Sequence, residues 1–503
     1  MPNYNLGIVR QVEELTIANE RLQSENSSLK NTVRELRQEL NTLKNSLDAK
    51  IAKAVEKVCT PLRTRIKCLE QENLHKDEEI QRLKAQINKD SSNSSKPSSQ
   101  DGFKKILNSR EKSDKKVGGQ IGHKGSTLTI PKNLDELVKE GKAEHRIVDL
   151  TDGAEKFISK WGIGLKPMVV FTEYLCPTSE MPCVFYEDSV KAIAVLLSNM
   201  GLIARERLSE VIKSISGGLI TVSVATLEKF DTEAASKVDI EAIKQEILND
   251  SKLHIDETLI RCAQLLEYND LAPKLATKTT FDAIIRTHST ETATLYTVNP
   301  HKDDTGIRRD DILPKFHGIL SHDHDKKYYK YGNKHATCGA HLSRELKGLH
   351  ELYKIEWGDK FRKFHVSIND YKNQTAVCAP DKLVEFEAMY DELVNEGQVI
   401  LNAMTPKSFG YKELSPMVKR LRNYKDAYLL FIRDYTAPFT NNQAERDLRH
   451  CKTKQKISGC FRTWKGILCY ARINSLLSTA KKKGQNLLDA IKELFKPKLL
   501  GSC

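Results

Sequence analysis

The sequence predicts a mixed α/β protein in which a sheet-containing core follows a long helical N-terminus. Leucine recurs every seven residues between positions 15 and 43, a spacing typical of helices that pack as a coiled coil. From Lys252 onward apolar and polar residues alternate as they do in strands, and helical patterns flank these strands. A chain of 503 residues is long enough for roughly two to four domains.

The charge balance indicates an anionic partner. The net charge is +13 and the isoelectric point is near 9.0, which favours nucleic acid, with a membrane surface as the alternative. The longest uncharged apolar run, at 192–204, is shorter than the roughly 20 residues of a membrane-spanning helix, so we expect a buried helix and no membrane partner. The N-terminus lacks the apolar stretch of a secretory signal. Eleven cysteines without regular spacing favour reduced thiols and a cytoplasmic protein.

The segment 1–90 is predicted to be a coiled coil that brings two copies of the chain together. Its heptad positions hold Leu15, Leu22, Leu29, Leu36 and Leu43, and the companion positions hold Val12, Asn19, Asn26, Val33, Leu40 and Leu47. Asparagine at such a position pairs best with the same residue of a second copy, so the pattern favours a parallel homodimer or a larger assembly. A helix folded back on its own domain is the alternative. Pro61 is expected to interrupt the helix before a second amphipathic stretch.

Two further segments have the composition of DNA-binding elements. The serine-rich linker at 91–125 has eight Lys or Arg residues against three acids between positions 96 and 124. It is predicted to be flexible and either to follow a phosphate backbone or to act as a solvated tether. Helical patterns at 189–230 flank a Gly217-Gly218 turn, which is compatible with a helix-turn-helix and equally with an ordinary helical hairpin.

Two aspartates are placed on separate strands of the predicted core. Runs at 252–262, 281–289 and 292–298 read as three strands, and a short helix at 308–316 leads to a fourth strand at 318–324. Asp256 lies in the middle of the first strand and Asp323 near the end of the fourth. An aspartate in an apolar strand is costly unless it is paired, exposed at an edge or bound to a cation.

A third carboxylate, Glu445, begins a strongly basic helix. It follows Asn442 by three residues, which is close to a capping box and could simply stabilise the first helical turn. From Arg446 to Arg472 eight Lys or Arg residues stand against one acid. The cations expected to contact phosphates are Arg446, Arg449, Lys452, Lys454, Lys456, Arg462 and Lys465. Three carboxylates can bind two hard divalent cations through oxygen, so we expect two Mg²⁺ or Mn²⁺ ions beside a phosphate backbone.

Several stretches resemble the DDE transposases of the insertion-sequence-66 family. They are NSSKPSSQDGFKK with KKVGGQIGHKG, HIDET, SHDHDKKYYKYGNKHATCGAHLSREL and the long FTNNQAERDLRHCKTKQKISGCFRTWKG. The resemblance implies a ribonuclease H-like core of mixed sheet and helices, with Asp256, Asp323 and Glu445 as metal ligands. It favours Asp323 over Asp325, because histidines flank Asp323. Small accessory proteins of the same element are implied partners.

The spacing of the cysteines departs from the family pattern after the linker. Farther along the chain it suggests a cysteine–histidine pair. The family usually carries paired CxxC zinc motifs after the linker, but only Cys176 and Cys183 lie between Thr127 and Tyr186. We therefore predict a degenerate zinc-finger-like segment and no zinc. Cys338 and His341 have half of a zinc-site spacing and resemble a Cys/Asp-x-x-His pair of several transposase groups. A role with metal or DNA and simple packing in the core remain alternatives.

These expectations combine into one domain plan. They give a coiled coil at 1–90, a basic flexible linker at 91–125, a degenerate zinc-finger-like and helical DNA-binding region at 126–235, a DDE catalytic domain at 236–480 with a helical insertion at about 346–435, and a C-terminal tail at 481–503. The expected activity is Mg²⁺-dependent phosphodiester hydrolysis and transesterification on double-stranded DNA, at element ends and target, in the bacterial nucleoid. A structure-selective nuclease of the same fold and a non-catalytic coiled-coil DNA-binding protein are the rival hypotheses.

Overall fold

The computed structural model describes residues 3–44, 49–94, 130–141, 185–265 and 283–496, with a few single positions between them. The chain forms two compact units. The larger comprises residues 1–105, 185–208 and 224–503, and the smaller comprises 106–184 and 209–223. Cys176, Cys183 and most of the predicted basic linker lie outside the described residues.

A five-stranded mixed sheet lies in the larger unit. Its strands are β1 Lys252–Ile260, β2 Ala283–Ser289, β3 Thr294–Asn299, β4 Ile319–His322 and β5 Lys334–Thr337. The order across the sheet is β3-β2-β1-β4-β5; β2 is antiparallel to both β1 and β3, whereas β4 is parallel to both β1 and β5. The mixed α/β class and the four predicted strands are therefore confirmed. The sequence did not predict β5, because its four residues are too short to show an alternating pattern.

Helices make up most of the other residues that the structure describes. Those described in full are α1 Asn3–Lys44, α2 Ala49–Asn88, α3 Leu134–Lys139, α4 Asp188–Asn199, α5 Arg205–Ile215, α6 Val224–Lys237, α7 Ile240–Leu248, α8 Asp304–Asp310, α9 Gly339–Tyr353, α10 Glu356–Gln374, α11 Pro380–Ala403, α12 Tyr411–Asn423, α13 Lys425–Arg433, α14 Asn442–Ser458, α15 Trp464–Lys482 and α16 Leu487–Phe495. Helix α14 packs on β1 and β2, α15 on β3, and α13 on β5. Within the described part of the chain, no helix combines the length and the apolar character needed to cross a membrane.

The helix between β3 and β4 begins earlier than the sequence predicts. It was expected at 308–316, but α8 starts after Asp303, whose side chain accepts hydrogen bonds from two backbone N–H groups of the first turn. The helix ends at Asp311, which has a left-handed backbone with φ of 55°. A short 3₁₀ turn containing Pro314 then follows. The aspartate cap and the proline together move the helix toward the N-terminus.

Helices α9 to α13 form their own hydrophobic core between β5 and α14. Leucines and other aliphatic residues pack there with buried aromatic rings, and the indole N–H of Trp357 donates a 2.7 Å hydrogen bond to the carbonyl of Leu393. A side chain at Gly397 would place Cβ 2.7 Å from the Trp357 ring, so glycine permits the close approach of α10 and α11. Aromatic burial and close helix contacts therefore make this region a rigid neighbour of the sheet.

The N-terminal heptads pack within the chain as an antiparallel hairpin. Asn19 of α1 donates a 2.9 Å hydrogen bond to Asp77 of α2, while Lys30 lies 3.5 Å from Glu70. Residues later in α1 therefore contact residues earlier in α2, so the two helices run antiparallel. Helix α2 also continues through Pro61, so the expected interruption there is wrong. The parallel pairing of two copies stays a prediction, since the contacts described here are those of one chain.

The turn that follows α2 is folded and docked, although the sequence predicted a flexible linker from position 91. Asn93 and Ser94 are buried, and the Asn93 side chain accepts a hydrogen bond from the Asp90 N–H at 2.9 Å. The carbonyl of Asn93 rests directly over Gly348 of α9. A side chain at Gly348 would overlap this carbonyl, so glycine is required for the hairpin base to contact α9.

The C-terminus is also more ordered than the predicted tail at 481–503. Helix α16 buries Ile491 and Phe495 and packs against α4. Asn486 caps it by accepting hydrogen bonds from two backbone N–H groups, as asparagine commonly does at a helix start. The segment predicted as a C-terminal tail therefore includes a packed helix up to Phe495.

Gly348→Ala is expected to release the turn at Asp90–Ser94 from α9, because the added methyl group overlaps the Asn93 carbonyl. Overpacking of this kind costs about 1–3 kcal/mol, which corresponds to roughly ten- to hundredfold faster amide exchange in the turn. Hydrogen–deuterium exchange measures this effect. Lys347→Ala is the control, because it adds no atom against the turn; equal exchange in Gly348→Ala and the control would refute the docking.

Candidate functional site

Asp256 on β1 and Asp323, which directly follows β4, lie at the same height along two neighbouring parallel strands. His254 of β1 pairs with Ser321 of β4. Asp256 lies two residues beyond His254, and Asp323 lies two residues beyond Ser321. Because side chains alternate with a period of two, both carboxyl groups project from the same face of the sheet. The parallel register therefore brings together two aspartates that are far apart in sequence.

Burial raises the pKa of both carboxyl groups, and at Asp256 the charge of Asp323 adds to this effect. Burial, then the charge of Asp323 and, to a smaller extent, that of Glu445, raise the pKa of Asp256 to about 7, although Lys452 acts in the opposite direction. Burial also raises the pKa of Asp323 above its usual value. The interaction of Asp256 with both other acids connects the three side chains that the sequence singled out.

The neighbouring acids differ from Asp256 and Asp323 because lysine or arginine pairs with them. Burial raises the pKa of Asp325, but the nearby Lys327 ammonium and backbone N–H more than offset this and hold it below its usual value. The Lys327 Nζ atom lies 3.1 Å from the Asp325 carboxylate, and Lys327 also contacts Glu257. Glu257 pairs with the buried Arg286 at 2.8 Å. Asp325 and Glu257 thus have cationic partners within the protein, which leaves Asp323 as the better candidate for an external cation.

Helix α14 delivers Glu445 and is tied to β1 at its start. Asn441 precedes the helix; its side-chain amide donates a 2.6 Å hydrogen bond to the Ile255 carbonyl, and its oxygen lies 3.1 Å from His254 Nδ1. Asn442 is the first helical residue and Glu445 the fourth, with no side-chain cap hydrogen bond. The suggested capping box is therefore wrong. The asparagine amide instead connects the helix to the strand that bears the first aspartate.

The groups nearest to the Glu445 carboxylate come from the start of α9. Its Oε1 atom lies 3.5 Å from His341 Nδ1, 3.6 Å from an Arg344 guanidinium nitrogen and 4.0 Å from Cys338 Sγ. Among the described residues, Cys338, His341 and Glu445 form the group whose metal-binding atoms all lie within 4.8 Å of one another. The sequence indicated the Cys338-x-x-His341 spacing but not its contact with Glu445. Arg344 was missed, although it lies one helical turn after His341.

The cysteine and the histidine of this group are held in their neutral forms. Burial, assisted by the charge of Glu445, raises the pKa of the Cys338 thiol to about 11. Burial, assisted by the cationic Arg344, lowers the pKa of His341 to about 3. The imidazole is therefore neutral at physiological pH and retains a lone pair for hydrogen bonding or metal binding.

Asp447 attaches α14 to strands β2 and β3 and to helix α15. Its carboxylate accepts hydrogen bonds from Ser289 at 2.7 Å and Thr294 at 2.9 Å, and it lies 3.0 Å from the Lys482 ammonium. These partners lie on β2, β3 and α15. From the sequence alone, Asp447 is only the single acid in a basic run. Its contacts show that it orients the helix that carries Glu445.

Three of the predicted DNA-binding cations share the face of Glu445. Arg449, Lys452 and Lys456 follow it by four, seven and eleven residues, which places all four side chains along one stripe of α14. Lys452 also interacts electrostatically with Asp256. We call Arg449, Lys452 and Lys456 the basic stripe. It continues directly from the acidic cluster along the helix.

The other predicted DNA-binding cations lie apart from this stripe. Lys454 is nine residues from Glu445 and so on the opposite face of the helix. Burial lowers the pKa of Lys454, and the nearby Asp231 carboxylate raises it. Arg446 is exposed about a quarter turn away from the stripe, while Arg462 and Lys465 are exposed at or beyond the end of α14. The structure therefore divides the predicted cations into a stripe and outlying positions.

A comparison with protein families assigns the part of the chain that contains the sheet and α14. The model described as "Transposase IS66 family" matches residues 184–467, which is more than half of the chain and includes the whole sheet. The chain belongs to the IS66 transposase family. No curated protein matches the chain. Membership in the IS66 transposases supports a role in transposition in general, and it makes DNA the expected partner of the basic stripe.

Asn441→Ala is expected to weaken the attachment of α14 to β1, because the Ile255 carbonyl and His254 lose a buried partner. Leaving buried polar groups unpaired costs about 1–3 kcal/mol. Urea unfolding measures the change. Asn442→Ala is the matched control because Asn442 is exposed; an equal loss of stability in both variants would contradict the role of Asn441.

Proposed function

We propose that this IS66 transposase cleaves DNA at the ends of its element and joins them to target DNA, using Asp256, Asp323 and Glu445 as ligands of two Mg²⁺ or Mn²⁺ ions. The observation that carries the proposal is the parallel register of β1 and β4, which places Asp256 beside Asp323. In agreement with this geometry, burial and the charges of Asp323 and Glu445 raise the pKa of Asp256 to about 7. A buried cluster of carboxyl groups that repel one another is a favourable environment for a hard cation.

The donor set fits the proposed metal. Carboxylate oxygens are the ligands that Mg²⁺ and Mn²⁺ prefer, and the acids beside them, Glu257 and Asp325, already have cationic partners within the protein. When bound, two such ions supply an activated hydroxyl group and stabilise the leaving oxygen of a phosphodiester. The chemistry requires no covalent intermediate with the protein.

The residues of the chain then have separate tasks. Strand β1 holds Asp256 and the adjacent β4 leads into Asp323, while Asn441 and Asp447 orient α14 so that Glu445 faces the aspartates. The basic stripe binds the phosphates that flank the scissile bond. Exposed arginine and lysine contacts of this kind hold DNA without reading its sequence.

We also propose that the core is ribonuclease H-like. The support is the succession of three antiparallel strands, a helix and a further strand parallel to the first. The first aspartate lies on the first strand, the second directly follows the fourth strand, and the glutamate lies on a later helix. Helices α9 to α13 form the insertion that separates the second aspartate from the glutamate.

We propose, in addition, that the transposase acts as a dimer or larger assembly in the bacterial nucleoid, with small accessory proteins of the same element. The support for self-association is the N-terminal hairpin. Leu15, Leu22 and Leu29 stay partly exposed there, while the buried side-chain oxygens of Asn19 and Asn26 have no hydrogen-bond partner among the described residues. A second copy would cover the leucines and pair the asparagines.

Asp256→Asn, Asp323→Asn and Glu445→Gln are each expected to reduce Mg²⁺-dependent cleavage of element-end DNA by at least about a hundredfold, because each removes a charged metal ligand. Removal of Mg²⁺ with a chelator should have the same effect. Asp325→Asn is the matched control, since its partner is Lys327. Cleaved and joined products are separated on denaturing gels.

The same gels distinguish the rival functions. Cleavage without joined product would identify a nuclease, and DNA binding without any Mg²⁺-dependent cleavage would identify a non-catalytic DNA-binding protein. The assignment of the three acids is wrong if a triad variant nicks DNA at the wild-type rate. It is also wrong if Asp325→Asn loses as much activity as Asp323→Asn.

Arg449→Ala and Lys456→Ala are each expected to weaken DNA binding and to reduce the slope of log affinity against log salt concentration by about 0.9, the value for one lost phosphate contact on duplex DNA. Lys454→Ala is the control, because Lys454 lies on the opposite face of α14. Fluorescence anisotropy over a series of salt concentrations gives the slopes. A larger change for Lys454→Ala than for either stripe variant would contradict the proposed DNA path.

A further inference from the structure

The group formed by Cys338, His341 and Glu445 has the geometry of an incomplete metal site. The Glu445 Oε1 atom lies 4.0 Å from Cys338 Sγ and 3.5 Å from His341 Nδ1, and all three donor atoms are within 4.8 Å of one another. Zinc bonds of about 2.0–2.3 Å at tetrahedral angles put neighbouring ligand atoms roughly 3.3–3.7 Å apart. The contact between His341 and Glu445 already has this length, and the contact between Cys338 and Glu445 exceeds it by a few tenths of an ångström. The separation of the Cys338 and His341 donor atoms, within 4.8 Å, would shorten by at most roughly 1 Å.

The backbone around these donors is fixed before any ligand binds. The Asn441 N–H donates to Cys338 Sγ at 3.2 Å, and the Gly339 N–H donates to the Phe439 carbonyl at 2.9 Å. A side chain at Gly339 would place Cβ 2.6 Å from the Phe439 ring, so only glycine allows the two segments to lie this close. The start of α9 is thus joined to the start of α14, which carries Glu445.

One donor atom of the group is buried without a partner. His341 Nδ1 is inaccessible and makes no hydrogen bond among the described residues, despite lying 3.5 Å from the Glu445 carboxylate. A buried polar atom without a hydrogen bond is costly. A metal ion between His341 and Glu445 would satisfy this nitrogen and would replace the 3.6 Å contact of Arg344 with the carboxylate.

The donor types select a class of ion different from that of the three carboxylates. A thiolate, an imidazole and one carboxylate are the ligands of borderline-soft ions such as Zn²⁺, whereas Mg²⁺ prefers oxygen alone. On binding, the thiol proton of Cys338 passes to water, and a water molecule takes the fourth position. Three protein ligands and one open position are common in zinc sites.

We propose that Cys338, His341 and Glu445 form a site for Zn²⁺ or a similar soft cation, and that its occupancy inhibits the transposase by drawing Glu445 away from Asp256 and Asp323. The inhibitory part rests on the proposed function, since Glu445 is shared between the two sites. This site is separate from the zinc motifs that the sequence lacks around Cys176 and Cys183. The expectation of no zinc concerned that earlier segment.

Cobalt substitution tests the site without reference to catalysis. The full chain is titrated with Co²⁺, which in a thiolate site gives a ligand-to-metal charge-transfer band in the near ultraviolet and intense visible bands of tetrahedral geometry. We expect both signals in the wild type, and their loss in Cys338→Ser and in His341→Gln. Cys469→Ser is the matched control, because Cys469 is a partly buried cysteine on α15, outside the donor group. Circular dichroism confirms that each variant is folded.

Zinc inhibition tests whether an ion bound at Cys338, His341 and Glu445 reduces DNA cleavage. Cleavage at constant Mg²⁺ is measured against increasing Zn²⁺, and each variant is compared with its own zinc-free rate. Cys338→Ser should need at least about tenfold more Zn²⁺ for half inhibition than the wild type or Cys469→Ser, because one ligand is lost. Cobalt spectra that are the same in wild type and Cys338→Ser overturn the proposal, as does a zinc sensitivity that Cys338→Ser leaves unchanged.

The two experiments also separate this proposal from the proposed function. A Cys338-dependent cobalt spectrum in a protein that never cleaves DNA would refute the catalytic role and leave the metal site standing. Cleavage that depends on the three acids, without any Cys338-dependent cobalt spectrum, would refute the metal site alone.

Discussion

The repulsion between Asp256 and Asp323 is the constraint on which the rest of the structure depends. Parallel pairing of β1 and β4 places both carboxyl groups at one level of the sheet, and burial raises the pKa of each. Such a pair weakens the folded state unless a proton or a cation neutralises it. Arg286 of β2 and Lys327 supply cationic partners for Glu257 and Asp325, whereas Asp256 and Asp323 have no such ion pair among the described residues.

Helix α14 carries both the third acid of the site and the basic stripe. Asn441 fastens its first residues to β1, and Asp447 fastens the next turn to β2, β3 and α15. The exposed face then presents Glu445 followed by the basic stripe. Because one helix carries both the third acid and the basic stripe, DNA bound along the stripe as proposed would also pass the acids. The helical insertion adds the thiol and imidazole of α9 to the same carboxylate.

Local patterns in the sequence predicted the features that depend on neighbouring residues. The alternation of apolar and polar residues predicted four of the five strands and the positions of the two aspartates. The run of positive charges predicted the basic helix. Strand β5 was too short to show a pattern. Features that depend on distant residues were out of reach. Asn441 contacts a strand 186 positions away, and Cys338 meets Glu445 across 107 positions. The sequence around Asn442 and Glu445 is compatible with a capping box, but the helix starts with hydrogen bonds from Asn441 to β1 instead.

The most direct test of this account is a crystal structure grown with Mn²⁺, in which anomalous scattering locates the metal. We expect a peak within coordination distance of both Asp256 and Asp323, with a Glu445 oxygen at the same ion or at a second ion beside it. Anomalous density that appears only elsewhere, with the two aspartates paired to protein groups, would contradict the central claim that these acids bind the catalytic metal.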